Sequence, residues 1–111
     1  MKTCTLVIHA PDYTVTKQGK KSFNAVLRTG VGVGYVIFPN DVSRLAKGSP
    51  VVLLRKDKNK ARAEGQLIKL VPTPKGAAVG RQRYDVYISG LKLVPYKPER
   101  LNRYGVALLD C

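Results

Sequence analysis

From Ser49 onward the chain is a succession of β-branched and apolar runs separated by turn formers, a pattern that leaves little room for helix. The segments "SPVVLLRK" and "ARAEGQLIKLV" flank "DKNK", residues 57–60. Asp and Asn between two β-rich segments make a hairpin the simplest connection. "RYDVYISGLKLV" alternates Tyr84, Val86 and Ile88 against Asp85, Tyr87 and Ser89, with Gly90 as a bulge or bend. "YGVALLDC" closes the chain as one more strand. Between Leu70 and Arg83, "VPTPKGAAVGRQ" has two prolines, two glycines and no periodicity, so it reads as a loop.

The first half adds strands and a little helix. "KTCTLVIHA" sets Cys4, Leu6 and Ile8 against Thr5, Val7 and His9 and stops at Pro11-Asp12, as a strand entering a turn does. "SFNAVLRTG" offers Ser22 as a cap, apolar Phe23, Val26 and Leu27, and Gly30 as a terminator, which predicts a short helix. "GYVIFP" reads as a strand closed by Pro39. "NDVSRLAKG" predicts a second helix over 40–47, with Asn40 as N-cap, Asp41 in the first turn, Lys47 at the end and Gly48 beyond it. About six strands with one or two short helices are too many for an open sheet with bare edges. In a single domain of 111 residues they predict a mostly β (α+β) fold, a small, closed or partly closed β-barrel of mixed topology.

Charge then narrows the partner. Hydrophobic residues make up 44% and charged residues 24%, an ordinary globular balance, but 20 Lys and Arg stand against 7 Asp and Glu. A net +13 favours polyanions, nucleic acid first and anionic membrane second. Two cysteines at opposite ends, Cys4 and Cys111, and one histidine offer no metal-ligand spacing, so neither metal nor cofactor is expected. With no leader evident, a reduced, cytoplasmic protein is the expectation, even though paired first and last strands would let the two sulfurs approach. No apolar run reaches the roughly 18 residues of a membrane span.

The candidate binding residues cluster in three places. "RKDKNKAR" crowds Arg55, Lys56, Lys58, Lys60 and Arg62 onto one hairpin, where they either track a phosphate backbone or guard a sheet edge. "GRQRYDVY" sets Arg81 and Arg83 beside Tyr84 and Tyr87, the mixture that stacks a base and holds its phosphate. Tyr84 and Tyr87 fall on opposite strand faces, so at least one packs inward; Tyr84 is the stacking candidate. "RTGVGVGY" places Gly30, Gly32 and Gly34 beside Arg28. Neither a helix nor Gly-Lys-Ser/Thr follows, which removes the dinucleotide and Walker readings. The glycines either serve positive φ and tight packing or line a ligand with their backbone. For catalysis, His9 is the sole histidine and the seven acids are scattered, so no acid–base set is nominated and a non-enzyme is expected.

The succession "GYVIFPNDVSRLAKGSPVVLLRKD", "AEGQLIKLV" and "RYDVYISGLKLV", residues 34–94, resembles the PUA-like superfamily. Its EVE and ASCH branches run a short helix into "l-x-x-G-D-x-V-x-l" and then strands of the form "x-G-x-I-x-x-I". Ser49 stands where those branches commonly place Asp. The resemblance implies a pseudo-barrel that binds RNA or DNA, in some members a modified base in a pocket by the barrel mouth. "KGSPVVLLRKDKNKARAEGQLIKLV" is also similar to the two strands and basic loop of ribosomal SH3-like barrels. Two other functional classes stay open: a small basic endoribonuclease of the toxin kind, in which Arg, Thr and Tyr stabilise a phosphorane-like charge, and an interaction protein that binds an acidic partner.

Overall fold

The computed structural model of the chain describes residues 4–10, 22–56, 60–73 and 82–110. Its elements are β1 (Thr5–His9), α1 (Phe23–Thr29), β2 (Val31–Val36), α2 (Pro39–Val42), β3 (Pro50–Arg55), β4 (Ala61–Pro72), β5 (Arg83–Val94) and β6 (Val106–Leu109). The strands form one mixed sheet in the order β2-β5-β4-β3-β1-β6, curled into a half-barrel. The mostly β, mixed-topology expectation is what the chain adopts. β3, β4 and β5 form an antiparallel meander, Leu53 opposite Ala63 and Leu67 opposite Ile88. β1 lies parallel to β3, with Leu6 beside Val51, which requires the long crossover that carries α1, β2 and α2.

β1 is an inner strand with apolar cover on both faces, which accounts for its nearly unbroken apolar run. On one face Leu6 and Ile8 join Phe23, Val26, Tyr35, Ile37, Val51, Leu53, Val86 and others in the main core inside the curl. On the other face Val7, Val52 and Leu54 form a small second core, closed by Tyr96, Leu101, Ala107 and Leu109. Residues 95–105, which have no regular structure, are therefore a strap across the outside of β1 and β3.

α1 follows its sequence signals. The Ser22 hydroxyl accepts from the Ala25 N–H at 3.2 Å, and Gly30 takes φ +75° and donates to the Val26 carbonyl. The second helix differs from expectation. It starts at Pro39 with Phe38 as N-cap and ends at Val42, so Asn40 lies inside it and residues 43–49 run in turns. Proline suits the first helical position, where no N–H is needed, and this moves the start one residue forward. The Ser43 hydroxyl then donates to the Asn40 carbonyl, and the Ser49 hydroxyl accepts from the Ala46 N–H, so side chains replace further helical bonds. β2 also departs from expectation: it contains the glycine segment and ends before Ile37.

Cys4 is buried and disulfide-bonded, where the sequence led to a reduced thiol. The reason is topological: β1 pairs with β6, Thr5 opposite Leu109. Cys111 lies outside the described residues. Among the described residues no helix is long and apolar enough to cross a membrane.

Candidate nucleic-acid interface

The β3–β4 hairpin brings Arg55, Lys56 and Lys60 to one end of the sheet; Lys58 lies outside the described residues. Lys56 and Lys60 are exposed, and Lys56 Nζ donates to the Glu99 carbonyl at 3.3 Å. Arg55 is half-buried, its guanidinium 4.8 Å from the centre of the Phe23 ring.

Arg62 departs from the rest of its cluster, as it is only 8% exposed. Its Nε donates to Glu64 at 3.0 Å, and its Nη1 donates to the Glu99 carboxylate and the Lys97 carbonyl, each at 2.9 Å. Burial pulls the guanidinium pKa down, but hydrogen bonds and charge from Glu99 and Glu64 outweigh that and raise it. Arg62 thus fastens the strap to β4 through its Nε and Nη1 donors. Its β4 position, opposite buried Leu54, turns it toward the strap side of the sheet.

The second cluster divides across β5. Arg81 lies outside the described residues. Arg83 is half-buried and its Nη1 donates to the Gly34 carbonyl at 3.0 Å. Tyr84 packs against the main core with Val86 and Ile88, while Tyr87 stands on the opposite face with Lys69 Nζ 5.0 Å from its ring centre. The strand alternation is as the sequence shows, with Tyr84 on the core side and Tyr87 on the other. Neighbouring Asp85 accepts from the Gly34 N–H and the Thr73 hydroxyl, at 3.1 and 2.6 Å.

The glycines have structural work to do. Gly30 ends α1, and a Cβ there would sit 2.6 Å from the Ile88 carbonyl oxygen. At Gly32 a Cβ would meet the Tyr35 ring at 2.8 Å. Gly34 takes φ +75° in the irregularity between Gly32 and Tyr35. Arg28 is exposed in the last turn of α1, where a cation suits the helix dipole.

A basic groove absent from the sequence reading lies along the free edge of β6. Its volume is about 520 Å³, with Arg44 and Asp41 on one wall, Arg100 and Asn102 on the strap wall, and β6 as the floor. Phe38 and Tyr104 meet edge to face at 5.8 Å, which braces α2 against the strap, and Arg103 stacks on Tyr104 at 5.1 Å. The signal for this wall was present in "KPERLNRYG", where cations and a tyrosine follow a proline without periodicity.

Among the described residues, acids offset little of this surface charge. Glu64 and Glu99 are held by Arg62, Asp85 by Gly34 and Thr73, and Asp110 accepts from the Thr5 hydroxyl at 3.2 Å. Among the described residues, the ion pairs formed are those two of Arg62. Fold and surface together define a small, strongly basic β half-barrel. No family model, curated protein or solved structure matches the chain.

Proposed function

We propose that this protein is a nucleic-acid-binding module, with RNA favoured over DNA, that works without catalysis. The observation that carries the reading is the division of charge: the carboxylates of Glu64, Glu99, Asp85 and Asp110 are engaged within the protein, while Arg28, Arg44, Lys47, Lys56, Lys60, Lys97, Arg100 and Arg103 are exposed. A surface with such an excess of exposed cations attracts polyanions and gains free energy by releasing their counterions. The resemblance to the PUA-like superfamily supports the same class.

The test is affinity for single- and double-stranded RNA and DNA, measured by fluorescence anisotropy over a range of salt. Binding that weakens steeply with salt, with the nucleic acid recovered uncut, is the expected result. Absence of binding at low ionic strength overturns the reading and makes an acidic protein the leading partner. Cleavage that survives repurification overturns its non-catalytic part.

A further inference from the structure

The β6 groove combines features that the rest of the basic surface lacks among the described residues. The backbone of this edge strand alternates in direction. His9 N–H donates to the Gly105 carbonyl, and Ala107 and Leu109 stand opposite Val7 and Thr5, so the odd-numbered residues of β6 bond to β1. The N–H and C=O of Val106 and Leu108 therefore point away from the sheet. Asn102 takes both groups of Val106: its N–H donates to the Val106 carbonyl at 2.9 Å, and its Oδ1 accepts the Val106 N–H at 3.2 Å. Leu108 is left presenting one donor and one acceptor, side by side, to a groove with an arginine on each wall and one carboxylate, Asp41.

Resting on the nucleic-acid reading above, we propose that this groove is the subsite for a single unpaired nucleotide. Arg44 and Arg100 take the flanking phosphates, the Leu108 main chain reads the base edge, and Asp41 accepts from an exocyclic amine. Each part follows from the chemistry of the groove. Guanidinium groups hold phosphate oxygens in a fork geometry. A neighbouring donor and acceptor complement the amine and ring nitrogen of adenine or cytosine. A carboxylate accepts from that amine but faces only a carbonyl oxygen on uracil. The volume of about 520 Å³ is within the range of small-ligand sites. A base paired in a duplex has no free edge to offer, so the subsite selects single strands. An added peptide strand fits the edge less well, because Asn102 already occupies Val106 and leaves such a strand only the Leu108 pair of groups.

The experiment uses the full chain and two double variants, Arg44→Gln with Arg100→Gln in the groove and Lys56→Gln with Lys60→Gln on the hairpin. Each is titrated with a single strand of about 12 nucleotides and with its duplex, and NMR follows the Leu108 amide during addition of AMP, CMP or UMP. The groove variant is expected to lose about tenfold on the single strand and under threefold on the duplex, with partial rescue by Arg→Lys at both positions. The Leu108 amide should shift with AMP or CMP at lower concentration than with UMP. Equal losses on both nucleic acids, or a Leu108 amide that does not move while the chain binds oligonucleotide, overturns the subsite and leaves the nucleic-acid reading standing. No binding of any nucleic acid by the unaltered chain overturns both. A Leu108 shift caused by an acidic peptide at lower concentration than by any nucleotide overturns the subsite in favour of a protein partner. Unchanged thermal unfolding of the variants separates loss of binding from loss of fold.

Discussion

Gly32 and Tyr35 show at residue scale how tightly β2 is fitted to the core. A Cβ at position 32 would stand 2.8 Å from the Tyr35 ring and 3.1 Å from Ile8 Cδ1, and Tyr35 is fixed by its hydroxyl, which donates to the His9 carbonyl at 2.9 Å. Neither neighbour has room to retreat, so Gly32→Ala is expected to cost about 1–3 kcal/mol in chemical denaturation. Tyr35 also sets an alkaline limit. Burial pushes its phenol pKa above the ordinary value of 10.0. The unfolded chain therefore loses this proton first as pH rises, and the stability contributed by neutral Tyr35 is present below pH 10 and declines above it. Denaturation midpoints should fall above about pH 10, and Tyr35→Phe should flatten that fall. The glycine spacing was legible in the sequence. Its use was not, because the atoms that crowd Gly32 belong in part to β1, across the crossover.

At the scale of elements, the strap and β5 show what the tertiary contacts add. Arg62 binds the strap through Glu99 and the Lys97 carbonyl, and the Arg62 and Glu99 side chains are 9% and 14% exposed. Arg62→Ala is expected to cost about 3 kcal/mol by leaving a nearly buried carboxylate without its partner. Hydrogen exchange should speed up first at Leu101 and Asn102, with Leu53 still protected. Tyr84 and Tyr87 provide a matched pair. Tyr84→Ala should lower stability by about 2 kcal/mol through lost core contact. Tyr87→Ala should leave stability nearly unchanged and weaken oligonucleotide binding, because its ring shares the outer face with Lys69. The opposite result in paired stability and binding assays would favour Tyr84 as the stacking ring. Period-two alternation in "RYDVYISGLKLV" separated the two tyrosines correctly. Which face was inner depended on where β2 and β4 curl, and local pattern does not hold that information.

For the whole molecule the governing quantity is net charge. On the proposed function, a net charge of +13 should make association with nucleic acid strongly salt-dependent. Replacing Lys56 and Lys60 by Gln should reduce the slope of log K against log salt by about 0.7 per contact on a single strand, measured by anisotropy at several salt concentrations. The sequence by itself determined the strands of the second half, the hairpin, the first helix and the charge imbalance. Each of these depends on neighbours a few residues apart or on composition alone: alternation, turn formers, a cap at Ser22 and a terminator at Gly30. Tertiary structure decided that β1 runs parallel to β3 and pairs with β6, that Arg62 faces protein while Arg44 and Arg100 meet across a groove, and that Cys4 is oxidised. Those outcomes join residues tens of positions apart. They follow from burying both faces of β1 at once, a requirement that the curled sheet, its helices and the strap meet only together.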